Sequence, residues 1–230
     1  MGKTESKREK YHEDDLKKHL GILTEDSDLS FFYKEPCVYN DTIIKETNVL
    51  CYDYITDYLI KKLNNNDLFK KKIKPIYRID KNYDVGHKKL KYTKEKWFAK
   101  SLIESKLSGI GEIIDFETPI NNTRNDKAGK IDLLAYNGKQ FSLIELKLQT
   151  NPDSMLHTLL EIHTYFHQID TRQLRSDFGK TNAKIQKVVL IFKGSRQHLE
   201  YEQSISLKKL ANVLDIKIYL FDCIDITKAP

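Results

Sequence analysis

With 230 residues and a mass of 27.0 kDa, the chain can bury one substantial core and a small accessory lobe, which excludes an array of several full domains. Its 40% hydrophobic and 31% charged residues, with only 9 Gly and 5 Pro, exclude a collagen, a mucin or a wholly disordered tail. The net charge of +6, from 39 Lys and Arg against 33 Asp and Glu, suits a nucleic-acid partner without requiring one. No run approaches the ~20 apolar residues of a membrane helix. Met1 to Lys10 lacks the apolar core of a secretion signal, so a soluble, cytoplasmic protein with no membrane partner is expected. Cys37, Cys51 and Cys223 are odd in number and widely spaced, which favours small buried apolar side chains over a zinc or redox site.

Residues 1–91 read as a mainly helical N-terminal extension and residues 92–230 as an α/β domain. A weak helix is expected from Asp14 to Gly21. A stronger one runs from Lys45 to Leu63, where Leu50, Tyr54, Ile55, Tyr58, Leu59 and Leu63 recur at near-helical spacing before Asn64, Asn65 and Asn66 end it. Ile73 to Ile79 suits a strand. Basic residues dominate between Lys61 and Lys100, and Lys70, Lys71, Lys72, Lys74, Lys88 and Lys89 are the candidate phosphate contacts. A helix is expected over Thr93 to Leu107, stopped by Gly109 and Gly111. Strands follow over Glu112 to Ile120, Lys130 to Tyr136 and Gln140 to Gln149, with a type I′ turn at Asn137-Gly138. A helix over Asp153 to Ile169, capped by Asp153 or Ser154, leads to a strand over Lys187 to Lys193. A helix over Tyr201 to Leu214 and a strand over Lys217 to Cys223 complete an αβββαβαβ order, a mixed sheet flanked by helices.

The chemistry is concentrated in the hairpin. If Asn137 and Gly138 are its two loop residues, Tyr136 pairs with Lys139, Asp132 with Leu143, and Lys130 with Glu145. Side chains alternate along a strand, so Asp132, Leu143, Glu145 and Lys147 share one face, with the two carboxylates about 5–8 Å apart. Their apolar neighbours make both strands central and buried, so the charges need partners. A structural ion pair at the strand ends is one answer. A divalent cation between the carboxylates is another, and hard oxygen ligands suit Mg²⁺ or Mn²⁺.

At these residues the chain resembles the PD-(D/E)XK nuclease superfamily, the restriction-endonuclease-like fold. The likeness lies in Lys130-Ile131-Asp132-Leu133-Leu134, a turn, and Leu143-Ile144-Glu145-Leu146-Lys147, with Ile131 in place of the family's proline. It covers roughly Thr93 to Asp225. The resemblance implies Asp132, Glu145 and Lys147 as catalytic residues, with Asp132, Glu145 and the Leu146 carbonyl as metal ligands. It further implies a glutamate from the preceding helix, Glu95 or Glu104. Glu95 lies on the face of Ala99 and Leu102, while Glu104 points nearly opposite, so Glu95 is assigned. Glu161 and Tyr165 share a helix face and are candidate borders of the site. His163 and His167 are spaced for zinc but have no third ligand nearby, so hydrogen-bonded histidines are expected.

The expected function is a metal-dependent nuclease that hydrolyses phosphodiester bonds, with DNA ahead of RNA as substrate. Lys147→Ala is expected to abolish cleavage and leave the fold intact. The resemblance allows a homodimer, although no dimer face is legible. The alternatives are a non-cleaving nucleic-acid-binding or assembly module that keeps the fold, and a structural α/β protein with no such partner.

Overall fold

The structure, a computed structural model, describes residues 10–12, 14–16, 29, 32–39, 43–46, 51–63, 94–120 and 129–222. Strands β1 (Lys10–Tyr11) and β2 (Ile43–Ile44) pair in parallel, and helices α1 (Pro36–Tyr39) and α2 (Cys51–Leu63) flank them in sequence. The helix expected from Lys45 starts at Cys51; Lys45 lies in a turn, and Leu50 falls outside the described residues. Asp14 to Leu16 is helical, while the rest of the Asp14–Gly21 expectation, the Ile73–Ile79 strand and Cys223 lie outside the described residues.

From residue 94 the chain builds a mixed six-stranded sheet. Helix α3 (Lys94–Ser101) precedes strands β3 (Lys106–Leu107), β4 (Gly111–Pro119), β5 (Lys130–Tyr136) and β6 (Gln140–Lys147). Helices α4 (Met155–Gln168) and α5 (Thr171–Asp177) lead to β7 (Lys184–Phe192), and α6 (Arg196–Gln203) and α7 (Ile205–Val213) to β8 (Ile216–Phe221). The strands lie in sequence order, antiparallel from β3 to β6 and parallel from β6 to β8. Each parallel step carries helices in its crossover, as parallel neighbours require.

Three departures from the expected order have specific hydrogen-bonding causes. Helix α3 stops at Ser101 because its last turn tightens through Leu102 N–H to Ala99 and Ile103 N–H to Lys100. Glu104 then takes a φ of 67° and joins β4 through Ile113. Gly109 and Gly111 consequently serve the β3–β4 hairpin, not a helix end. Helix α5 was not expected; Asp170 caps it, its carboxylate accepting from the N–H groups of Arg172 and Gln173. The single helix expected over Tyr201 to Leu214 is two, because Ser204 ends α6 and caps α7 by accepting from Leu207 N–H, while its hydroxyl donates to Asp53.

Strand β5 buries Ile131, Leu133, Leu134 and Ala135, and β6 is buried from Phe141 to Lys147. Their side chains divide between two cores. Leu133, Ala135, Ile144 and Leu146 meet Ala99 and Leu102 beside α3. Leu134, Leu143, Val189 and Ile191 meet α4 and α7 on the opposite face. Helix α4 is buried around most of its circumference, since the segment carrying Phe32, Tyr33 and Val38 packs against it as well as the sheet. At its start, Ser154 is the cap, its side chain accepting from His157 N–H and donating to the Val38 carbonyl. The described N-terminal elements thus share the core of the sheet domain.

Candidate functional site

The hairpin register differs from the expected one by two residues. Tyr136 opposes Phe141, and Leu134, not Asp132, opposes Leu143. Of the two expected turn residues only Gly138 has a positive φ, 93°. Asn137 instead uses its side-chain oxygen to accept from the N–H groups of Lys139 and Gln140, which lengthens the loop. A two-residue displacement preserves strand parity, so Asp132, Glu145 and Lys147 still share a face, the one turned toward α4.

The strands fork at this point. Pairing between β5 and β6 ends at Leu133 and Ile144, whereas β4–β5 pairing continues to Lys130 and β6–β7 pairing to Lys147. Into the opening turns Asp132, whose Oδ2 accepts from Leu146 N–H at 2.8 Å. Its Oδ1 has no hydrogen bond among the described residues. A strand residue's N–H and C=O leave on one edge, so the Leu146 carbonyl faces the fork as well.

Lys147, only 4% exposed, sits among three carboxylates: Glu145 Oε1 at 2.9 Å, Asp153 Oδ2 at 3.0 Å and Glu161 Oε2 at 2.9 Å. An ammonium has three protons, and three acceptors take them. Although burial works against its charge, the surrounding carboxylates, Glu145 foremost, hold Lys147 well above the ordinary lysine range. Glu145 is 2% exposed, and its Oε2 is buried without a hydrogen-bond partner.

From α4, Glu161 Oε1 also accepts from the Tyr165 hydroxyl at 2.9 Å, and that hydroxyl accepts from Tyr33 at 3.3 Å. His157 donates Nδ1–H to the Tyr33 carbonyl at 2.8 Å, which turns Nε2 toward Glu161 (3.2 Å) and Asp153 (3.8 Å). The ligand atoms of Asp153, His157 and Glu161 lie within 4.8 Å of one another, a spacing that could hold a metal ion, and the Lys147 ammonium bridges two of them. Half-buried Glu95 accepts from the Asn151 side chain at 3.1 Å at the edge of the cluster.

Five carboxylates (Glu95, Asp132, Glu145, Asp153 and Glu161) therefore interact with one ammonium. Burial, only partly offset by Lys147 and reinforced by Glu95, pushes Asp132 up to about 7. Burial and the neighbouring Asp132 and Glu161 raise Glu145 well above the carboxylate range, and burial raises Glu95. Glu161 moves the other way: burial opposes its charge, but Lys147 and His157 hold it far below the usual range. The excess of negative charge and the leftover oxygens, Asp132 Oδ1 and Glu145 Oε2, fit a divalent cation held by hard oxygen ligands.

Sequence reasoning brought together Asp132, Glu145, Lys147, Glu95, Glu161 and Tyr165, and all six converge here. Glu104 is exposed in the turn beyond α3. Asp153 was read only as a cap, and His157, Asn151 and Tyr33 were missed. The step of four through Asp153, His157, Glu161 and Tyr165 on one helix face was the available signal; Tyr33 gave none. His163 is buried, with its Nδ1 3.1 Å from the Lys187 ammonium, which burial pushes down to about 8, so that nitrogen is turned to an amine and not to zinc. Lys70, Lys71, Lys72, Lys74, Lys88 and Lys89 lie outside the described residues.

Compared with known proteins, the chain matches no family model, no curated protein and no solved structure. The likeness to the nuclease superfamily therefore rests on the residues around Asp132. Among the described residues, no helix is long and apolar enough to cross a membrane.

Proposed function

We propose that the protein is a metal-dependent nuclease of the restriction-endonuclease-like type, with Asp132, Glu145 and the Leu146 carbonyl as the ligands of Mg²⁺ or Mn²⁺. One observation carries this reading: five carboxylates, more negative charge than one ammonium offsets, gather where β5 and β6 part, with buried Glu145 and Glu161 pressed against each other. An ion bound there would supply Lewis-acid polarisation of a phosphoryl oxygen and activation of water.

The chain's own groups have distinct parts in this scheme. Asp132 titrates near neutrality, so ion binding competes with a proton at its carboxylate. Glu95, at the cluster's edge and raised by burial, can accept a proton from an attacking water. Glu161 stays ionised and, with Asp153, holds the Lys147 ammonium beside Glu145, where its charge offsets negative charge developing on a phosphate. Tyr33, Tyr165 and His157 hold Glu161 in turn.

The test is a cleavage screen of labelled single-stranded, duplex and branched DNA and RNA with Mg²⁺ or Mn²⁺, using Asp132→Asn and Glu145→Gln as controls. Divalent-dependent cleavage lost in both variants supports the proposal, and cleavage unchanged in either overturns it. A second reading, a binding module that keeps the fold without turnover, draws on the full engagement of Lys147 by three carboxylates. It is favoured if nucleic acid binds and no ion binds at Asp132 and Glu145.

A further inference from the structure

At the end of the sheet away from the acidic cluster, a cleft of about 550 Å³ opens between the β5–β6 hairpin and the segment entering β7. Lys139, Lys180 and Lys184 line it, with Tyr136, Thr181 and Asn182 supplying an aromatic face and polar groups, and no carboxylate is among its lining residues. All three lysines are exposed, and their ammonium groups pair with no carboxylate among the described residues. Some surface lysines find one, such as Lys96 and Lys130 at Glu117, and others, such as Lys106, Lys209 and Lys217, do not; what sets these three apart is that they line one concave surface. The Lys180 ammonium lies 5.2 Å from the centre of the Tyr136 ring. Gly138 and Gly179, both at positive φ, lie on its open rim, where a Cβ would meet nothing within 4 Å.

We infer that this cleft is a phosphate-binding contact for nucleic acid, distinct from the acidic site and resting on the nuclease reading for the class of its occupant. Three unneutralised ammonium groups around one concave surface attract a polyanion and do not attract the acidic cluster's cations. Gln140 at the cleft and Glu145 to Lys147 at the acids are five to seven residues apart on β6, about 17–23 Å at the usual strand rise. A strand gripped at the cleft is thus held a few phosphates away from the bond presented to the acids.

The experiment is fluorescence anisotropy of labelled single-stranded and duplex oligonucleotides in EDTA, across a range of salt. It compares the unmodified protein, a triple variant Lys139→Gln, Lys180→Gln and Lys184→Gln, and a control variant Lys193→Gln and Lys208→Gln. We expect the triple variant to bind at least about 10-fold more weakly at low salt. Its slope of log affinity against log salt should be shallower by about two to three, as the loss of three phosphate contacts dictates. The control should bind as the unmodified protein does. Binding that the triple variant retains in full, absence of binding by the unmodified protein, or association with phosphatidylserine vesicles in place of oligonucleotide would each overturn the inference. The substitutions are at exposed positions away from the core, and circular dichroism checks the fold. Divalent-ion titration at Asp132 and Glu145 is read separately, so failure of the cleft and failure of the nuclease reading give different results.

Discussion

Replacing Lys147 with Met tests how far the acidic cluster depends on one cation. Met keeps the length and the apolar stem but removes the ammonium from Glu145, Asp153 and Glu161, its partners at 2.9–3.0 Å. Taking one partner from a buried ion pair typically costs about 3–5 kcal/mol, because the charge left behind is neither solvated nor matched. At about 2–4 °C per kcal/mol for a chain of this size, the melting temperature at pH 8 should fall by about 6–20 °C. The pH dependence carries the sign. Glu145, already held above the carboxylate range by burial and by Asp132 and Glu161, loses in Lys147 the cation that lowers it. The penalty is therefore absent where both states are protonated and grows as pH rises through its folded value, so it should shrink from pH 8 toward pH 5. Thermal and urea unfolding at both pH values, with and without 10 mM EDTA, measures this. A loss under about 1 kcal/mol at pH 8, or one that does not shrink on acidification, would refute the reasoning. The expected outcome gives Lys147 a stabilising part beside the catalytic one expected from the sequence.

Asp132→Asn should stabilise the metal-free protein above pH 7, because a carboxyl pushed up to about 7 costs stability as pH climbs from its unfolded value through that point; unfolding titrations of the two proteins should converge below about pH 4. Adding Mg²⁺ or Mn²⁺ at 100 times its dissociation constant should raise the melting temperature of the unmodified protein by about 5–10 °C, the equivalent of about 2.7 kcal/mol, and leave Asp132→Asn unmoved. Ser154→Ala removes both the α4 cap and the bond to the Val38 carbonyl and should cost about 1–2 kcal/mol in urea unfolding. Gly111→Ala should cost more, at least about 2 kcal/mol, since at φ 120° its Cβ would lie 2.5 Å from the Tyr136 carbonyl oxygen across the β4–β5 pair; a near-neutral result would count against this packing.

Much of the sheet was legible before folding was considered. The alternation and apolar runs of Lys130 to Tyr136 and Gln140 to Lys147 announce central strands, because burial on both faces demands continuous hydrophobicity from local sequence. The co-facial placement of Asp132, Glu145 and Lys147 follows from the two-residue period of a strand, and it survives the misread turn because the loop lengthened by an even number. The break at Ser204 and the early end of α3 were not legible in the same way. Both depend on partners remote in the chain, Asp53 for the first and Ile113 for the second.

What only tertiary structure decided is how the acids are held. Sequence periodicity placed Glu161 and Tyr165 on one face of a helix, but it carried no information on which strand that face would meet. Packing of α4 across β6 brings Glu161 and Asp153 onto Lys147, and packing of the N-terminal segment over α4 brings Tyr33 to His157 and Tyr165. Strand and helix periods act over a few residues and are written locally. The convergence of charges from positions 95, 132, 145, 147, 153 and 161 is a property of long-range burial, which concentrates like charges that an extended chain would keep apart in water.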